Sequence, residues 1–340
     1  MKDIDNPKTE NLLIKMVRTT FIRMGVLPFL IILATIIFAM LSDNFLTSRN
    51  LINVSRQTTY LVIVAMGQMF ALLTGGFDLS VGTILSLSSV VGAMAMSAMY
   101  AAFPGSVGLV IFVGLLAGLL AGLSVGIING IGISVFHVNP FMMTLGMSSV
   151  GFGIALFLTG GVPVYGMPES FGNIFGFGKF MGVPTPVLIT LGLIFLVYFL
   201  LNWTKIGRYF YAVGGNIKAS SLSGINTKYV LFLAYVSCSF LATISGLLLT
   251  ARLETGEANI GVAMPLESIA ACVIGGVSLR GGVGRVESVV LGALFIGLIQ
   301  NGMNLARIES YLQTVVLGIL LIFAVASDQF RQHLIAKSQD

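Results

Sequence analysis

The chain has 340 residues, of which 56% are apolar and only 9% charged, with a formal net charge of +5. A soluble domain is about 25% charged, and runs such as GVLPFLIILATIIFAML and TPVLITLGLIFLVYFLL are charge-free at close to the ~20 residues that cross a bilayer. The composition excludes a soluble globular protein and points to a polytopic membrane protein, whose basic excess orients the chain rather than binding nucleic acid.

The first 24 residues are polar and contain Lys2, Lys8, Lys15, Arg18 and Arg23. No small-residue cleavage signal follows the first apolar run, so residues 1–24 read as an uncleaved cytoplasmic tail. A membrane domain over 25–327 comes next, then a cytoplasmic C-terminal tail over 328–340. Ten apolar segments are expected to be helices, at about 26–41, 60–74, 79–99, 107–135, 141–158, 185–201, 229–250, 266–277, 286–305 and 312–326. The fourth is longer than a crossing needs and rich in glycine. The eighth has about twelve residues, which reach only ~18 Å of a ~30 Å hydrocarbon core. It is either broken or extends into its glycine-rich flank.

Ten crossings place both termini on one side, and the charges test that parity. With the tail inside, thirteen of the 18 basic residues fall on the inner side. Five fall outside, namely Arg49, Arg56, Lys179, Arg252 and Arg307, as the positive-inside rule requires. The expected fold class is an all-α polytopic membrane protein of about ten transmembrane helices with both termini cytoplasmic.

Forty-one glycines, roughly 12% against a usual ~7%, let helices approach closely and permit broken helices. GGFDLSVG at Gly75 and GGVSLRGG at Gly275 agree at four of eight positions, three of them glycine. The expected topology puts both on the inner face, which is not the arrangement of an inverted repeat.

No GxxxxGK[ST], GxSxG or HExxH pattern occurs, and Cys238 and Cys272 lie inside apolar runs as small buried hydrophobes. No catalytic residue, metal site or cofactor is therefore expected, and active transport would draw its energy from a partner. The one polar interruption with no acid is the inner loop at about 202–228. In it Asn216 is suited to N-cap a short helix IKASSLS that Gly224 ends as a left-handed C′ residue. Ala219, Ser220 and Ser221 would let that helix pack closely against another protein and transmit a push. A plain positive-inside loop with an incidental helix is the alternative.

LTGGFDLSVG (73–82), KIGRYFYAVGGNIKASSLSGIN (205–226), ESIAACVIGGVSLRGGVG (267–284), GALFIGLIQNGMNL and GILLIFAVASD together resemble the membrane permease of bacterial ABC importers for sugars of the ribose, galactoside, arabinose and xylose class. The resemblance runs from about Asn50 to near the C-terminus. It implies a bacterial inner-membrane subunit that moves a monosaccharide by alternating access, as a homo- or heterodimer of permeases. The implied partners are two cytoplasmic ABC ATPases and a periplasmic sugar-binding protein. The loop helix would then be a coupling helix docked in the ATPase through Asn216, Lys218, Ala219, Leu222 and Gly224. A permease for nucleosides or branched-chain amino acids, and an ion-coupled secondary transporter, are the alternatives.

Asp78, with Gly75, Gly76 and Ser80, matches the family's GG-x-D-L-S stretch; it is expected to cap the third helix, with a substrate or coupling role as the other reading. Glu267 lies near membrane depth and could line the substrate path. Glu287 departs from the small or apolar residue expected of the family and would pair with Arg285. Asn139, Phe141, Asn301 and Asn304 are candidate path residues or packing groups. Arg49, Arg56, Arg252 and Arg307 are candidate docking points for the binding protein or solvated loop charges.

Overall fold

The structure, a computed structural model, describes residues 27–337, so the expected tail 1–24 lies outside the described residues. Helix follows helix: α1 (Leu27–Leu41), α2 (Ser48–Leu73), α3 (Val81–Ala102), α4 (Val107–Ser134) and α5 (Pro140–Thr159). The connection after α5 holds a single turn, α6 (Glu169–Phe171), which runs into a π-helical turn Gly172–Gly176. An antiparallel pair follows, β1 (Lys179–Phe180) and β2 (Val183–Pro184), with Lys179 opposite Pro184. Then come α7 (Thr185–Trp203), α8 (Lys205–Gly215), α9 (Ile217–Leu222), α10 (Thr227–Leu253), α11 (Met264–Ile274), α12 (Val286–Leu305) and α13 (Ser310–Lys337).

Six of these, α3, α4, α5, α7, α10 and α12, are long and apolar enough to cross a membrane. α1, α11 and the stretch Ser310–Phe323 of α13 are apolar but shorter. At the centre stands α2, buried at every residue from Thr58 to Leu73 and packed against α10, α11 and α12. α5 and α7 lie outside and turn side chains such as Phe157 and Phe195 outward, as helices in contact with hydrocarbon do.

Glycine sets the closeness of the inner packing. Gly114, Gly118, Gly122, Gly126 and Gly130 fall every fourth residue along one face of α4. A methyl group on Gly118 would strike Leu247 and the Ser88 carbonyl, on Gly122 Thr243, and on Gly126 Ser239. α4 therefore lies backbone-close to α3 and α10, and the Ser239 hydroxyl donates to the Gly122 carbonyl at 2.6 Å. Lipid tails are as apolar as leucine, so such contact and hydrogen bonding, rather than the hydrophobic effect, hold membrane helices together.

α11 has 11 residues, about 16 Å of rise. Before it the chain is not helical. Gly256 exchanges backbone hydrogen bonds with Val164 at 2.8 and 2.9 Å, the Glu257 N–H donates to Ser89 Oγ at 3.1 Å, and Gly261 packs on Gly82. Ser89 and Gly82 are seven residues apart on α3, so this segment runs ~10 Å alongside that helix before α11 begins. The short eighth segment is thus broken on its N-terminal side. Gly256, Ala258 and Gly261 are buried, the condition under which irregular backbone is tolerated at membrane depth.

Three boundaries differ from expectation. α2 begins at Ser48, twelve residues early, because Thr47 caps it by accepting from the Asn50 N–H at 3.3 Å. The loop at 202–228 contains a second helix, α8, which buries Gly207, Phe210 and Val213 along one face. The last helix continues to Lys337, through most of the expected tail.

Replacing Gly122 with Val should lower the melting temperature of the purified protein or prevent its accumulation, since overpacking a tight interface costs about 1–3 kcal/mol. Gly146→Ala in α5, where nothing lies within 4 Å of the added methyl, should melt like the parent. Thermal unfolding of the two variants in detergent makes the comparison.

Candidate coupling junction and membrane cavity

α8 and α9 are closed at each end by local hydrogen bonds. Thr204 caps α8 by accepting from the Gly207 N–H at 3.1 Å. Asn216 ends α8 and caps α9, its Oδ1 accepting from the Ala219 N–H at 3.0 Å. At the far end the Gly224 N–H donates to the Ser221 carbonyl at 3.0 Å and the Ile225 N–H to Ser220 at 3.1 Å. This is the paired exit that a left-handed C′ glycine allows, and Gly224 has φ 83°. Six residues alone would not hold a helix in water; the caps hold this one. Ser220 faces the protein, Lys218 and Ala219 face outward, and Leu222 is 90% exposed.

The end of α8 rests on the loops that leave α2 and α11. The Gly282 N–H donates to the Leu73 carbonyl at 2.9 Å. Gly214 lies so near both that a Cβ there would clash with each, and Gly281 is wedged between Gly214 and Gly75. The Tyr211 hydroxyl donates to the Gly284 carbonyl at 3.1 Å. Burial, and after it the Glu287 carboxylate, pushes that hydroxyl above its ordinary pKa, with Arg285 pulling the other way. It therefore stays protonated and able to donate. The two partly matching stretches, GGFDLSVG and GGVSLRGG, thus meet at one place, and the end of α8 packs against that meeting point.

Asp78 is fully buried, and its Oδ1 accepts from the Ser80 N–H at 2.9 Å and the Ser80 hydroxyl at 2.6 Å. Ser80 is the N-cap residue of α3. Asp78 therefore closes the turn two residues earlier instead of capping the helix as expected. Asn129 Nδ2 donates to Ser80 Oγ at 2.8 Å, tying the turn to α4. The Gln68 amide, oriented to satisfy both of its ends, pairs with the Asp78 backbone at 3.0 and 3.1 Å. Gly76 packs under Tyr235 and against Pro140.

Beside the middle of α2 and the start of α11 is a cavity of about 370 Å³ whose polar lining includes Gln57, Tyr60, Arg252, Glu267 and Gln300. Gln300 Nε2 donates to Glu267 Oε1 at 2.8 Å. The Arg252 guanidinium lies 5.9 Å from the Tyr60 ring centre and close to its hydroxyl, without a well-formed hydrogen bond. Arg56 lies 5.9 Å from the Phe177 ring centre. Tyr60 OH, Arg56 Nε and Arg252 Nη1 are all buried with no hydrogen-bond partner. Tyr60 and Leu73 are thirteen positions apart on α2, so cavity and junction stand ~20 Å apart on one helix.

Of the residues singled out in the sequence, the structure brings Glu267 and Arg252 to this cavity. Arg252 was expected among the outward docking charges; its side chain is drawn inward beside Tyr60. Arg56 is half-buried, whereas Arg49 and Arg307 are exposed. Asn301 exchanges amide hydrogen bonds with Asn50 at 2.9 and 3.1 Å, and Asn304 accepts from Gln313 at 2.8 Å. Asn139 caps α5 by accepting from the Phe141 N–H at 3.0 Å, with the Phe141 side chain exposed. None of these four lines the cavity. Gln57, Tyr60 and Gln300 do, and the only sequence signal for Gln300 was a polar residue inside an apolar run.

Residues 50–325 match the family described as the permease component of the branched-chain amino acid transport system. The chain is 38% identical over 303 residues to the ribose import permease protein RbsC of Escherichia coli (strain K12), covering 87% of this chain and 90% of that one. It is 39% identical over 305 residues to the RbsC of Bacillus subtilis (strain 168), covering 89% and 92%. To the L-arabinose transport system permease protein AraH of Escherichia coli (strain K12) it is 33% identical over 294 residues, covering 86% and 87%. No solved structure matches it. On the extent of these matches, the chain belongs to this family of transport-system permease components and is a homologue of the sugar importer permeases within it.

Proposed function

We propose that the chain is the permease subunit of an ATP-driven, binding-protein-dependent importer that carries a monosaccharide across the bacterial inner membrane. The observation that carries this reading is the junction: an exposed, doubly capped α9 is joined through Gly214 to the ends of α2 and α11. In this reading α9 is the coupling helix, and Leu222, Lys218 and Ala219 enter a groove of a cytoplasmic ATPase. ATP closes the ATPase pair, α9 moves, and the clasped loops carry the displacement to α2 and α11, which wall the cavity. The partners' differential affinity for the two states shifts the equilibrium between them.

Ten crossings follow if α1, α2, α11 with its preceding segment, and α13 join the six long helices. Both termini are then cytoplasmic. Exposed Arg49 and Arg307 remain for docking a periplasmic sugar-binding protein, and a second permease completes the pathway. Sugars are preferred over branched-chain amino acids because the relatives above are named for ribose and arabinose.

Mild-detergent purification of the tagged chain should recover an ATPase, and recovery of none under conditions that preserve complexes would count against the reading. Gly224→Val forces a β-branched residue into the left-handed region at a cost of about 1–3 kcal/mol. It should insert normally and lose most uptake; normal uptake would remove that turn from the mechanism. Because Cys238 and Cys272 are buried, a cysteine placed at Glu267 can be followed alone. A water-soluble thiol reagent should label it in intact cells much faster than a cysteine at buried Asn301, and equal rates would take the cavity off the path.

A further inference from the structure

We propose that the cavity between α2, α10, α11 and α12 is a sugar-binding subsite of the permease itself, with Glu267 accepting and Arg252, Gln57 and Tyr60 donating hydrogen bonds to ring hydroxyls. The cargo would then be read a second time after delivery. The choice of sugars as ligand class rests on the permease reading above, but occupancy of the subsite needs neither the ATPase nor the binding protein.

Size is the first argument. At about 370 Å³ the cavity sits at the small end of ligand sites, roughly 300–1,000 Å³, and holds one small molecule. The second argument is unmet hydrogen bonding. Tyr60 OH and Arg252 Nη1 are buried close to one another without a well-formed hydrogen bond, while Glu267 receives one hydrogen bond from Gln300 and keeps acceptor capacity. Leaving such groups empty is unfavourable, and a charge at membrane depth usually faces a cavity or a partner.

The mixture of groups selects the ligand. Arg252 repels a cation and Glu267 repels an anion. A neutral polyol both donates and accepts at every hydroxyl and can satisfy them together. A zwitterionic amino acid could neutralise the two charges, but it would leave the amides of Gln57 and Gln300 and the Tyr60 hydroxyl largely unused. A sugar engages all five.

The test uses the full-length chain in lipid nanodiscs without partners. Saturation-transfer NMR is recorded with D-ribose, D-allose, L-arabinose and L-leucine. At least one sugar should bind and leucine should not. Glu267→Gln and Tyr60→Phe, checked for folding by gel filtration, should each weaken that sugar about tenfold. Should either variant fail to fold, bound sugar must still slow thiol labelling of a cysteine placed at Gln57. Binding of leucine alone would overturn the ligand class. Sugar binding unchanged in both variants, or labelling at Gln57 unaffected by sugar, would overturn the site. No binding of any probe would also overturn the subsite, and recovery of an ATPase with the tagged chain would show whether the permease reading survives it.

Discussion

Three backbones meet with no side chain between them: the Leu73 carbonyl at the end of α2, Gly214 at the end of α8 and Gly282 in the loop after α11. That contact is the constraint on which the rest depends. A methyl group at Gly214 would push the three segments apart, and any larger side chain would part them further. Without flexible side chains in the gap, displacement of α8 and α9 has little slack to dissipate into. In the proposed importer this stiffness makes a six-residue helix an effective handle on a membrane bundle, because packed elements shift between discrete arrangements rather than deforming continuously.

The same economy of side chains runs through the membrane interior. The α4 glycine strip brings that helix against α3 and α10, and α2 is enclosed on all sides along its second half. α2 passes the polar cavity at residues 57–61 and ends at the glycine junction, and α11 begins at the cavity and leads into the loop that reaches the same junction. They therefore link the two sites by rigid rods rather than by a chain of side chains. Polar residues are placed with matching care. Asn50 and Asn301 pair with each other, and Ser80 bonds both Asp78 Oδ1 and Asn129 Nδ2. The groups lacking partners at the far end collect around the cavity.

Much of this was readable from the sequence, and the failures have physical causes. Apolar run lengths located the helices, and Asn216 and Gly224 marked the two ends of α9 because capping is local chemistry. α8 escaped notice because its apolar face is only Gly207, Phe210 and Val213, too sparse to stand out beside basic residues in a loop. The start of α2 was hidden by Arg49 and Arg56, whose charges look extramembrane. Arg252 read as an outward charge because no sequence pattern tells that its neighbour in space is Tyr60. The GGFDLSVG and GGVSLRGG resemblance was too weak to interpret alone; its meaning is a shared meeting place, which only the tertiary fold displays. Asn301 and Asn304 looked like path residues because polarity inside an apolar run does not say which side of a helix it serves.

The most direct test of the central claim is the number of cargo molecules imported per ATP hydrolysed, measured on the chain reconstituted with the proposed ATPase and sugar-binding protein, with Gly214 changed to Ala. If the glycine contact transmits the stroke, hydrolysis persists while import falls several-fold, so the ratio collapses. An unchanged ratio at the parental rate of import would contradict the account.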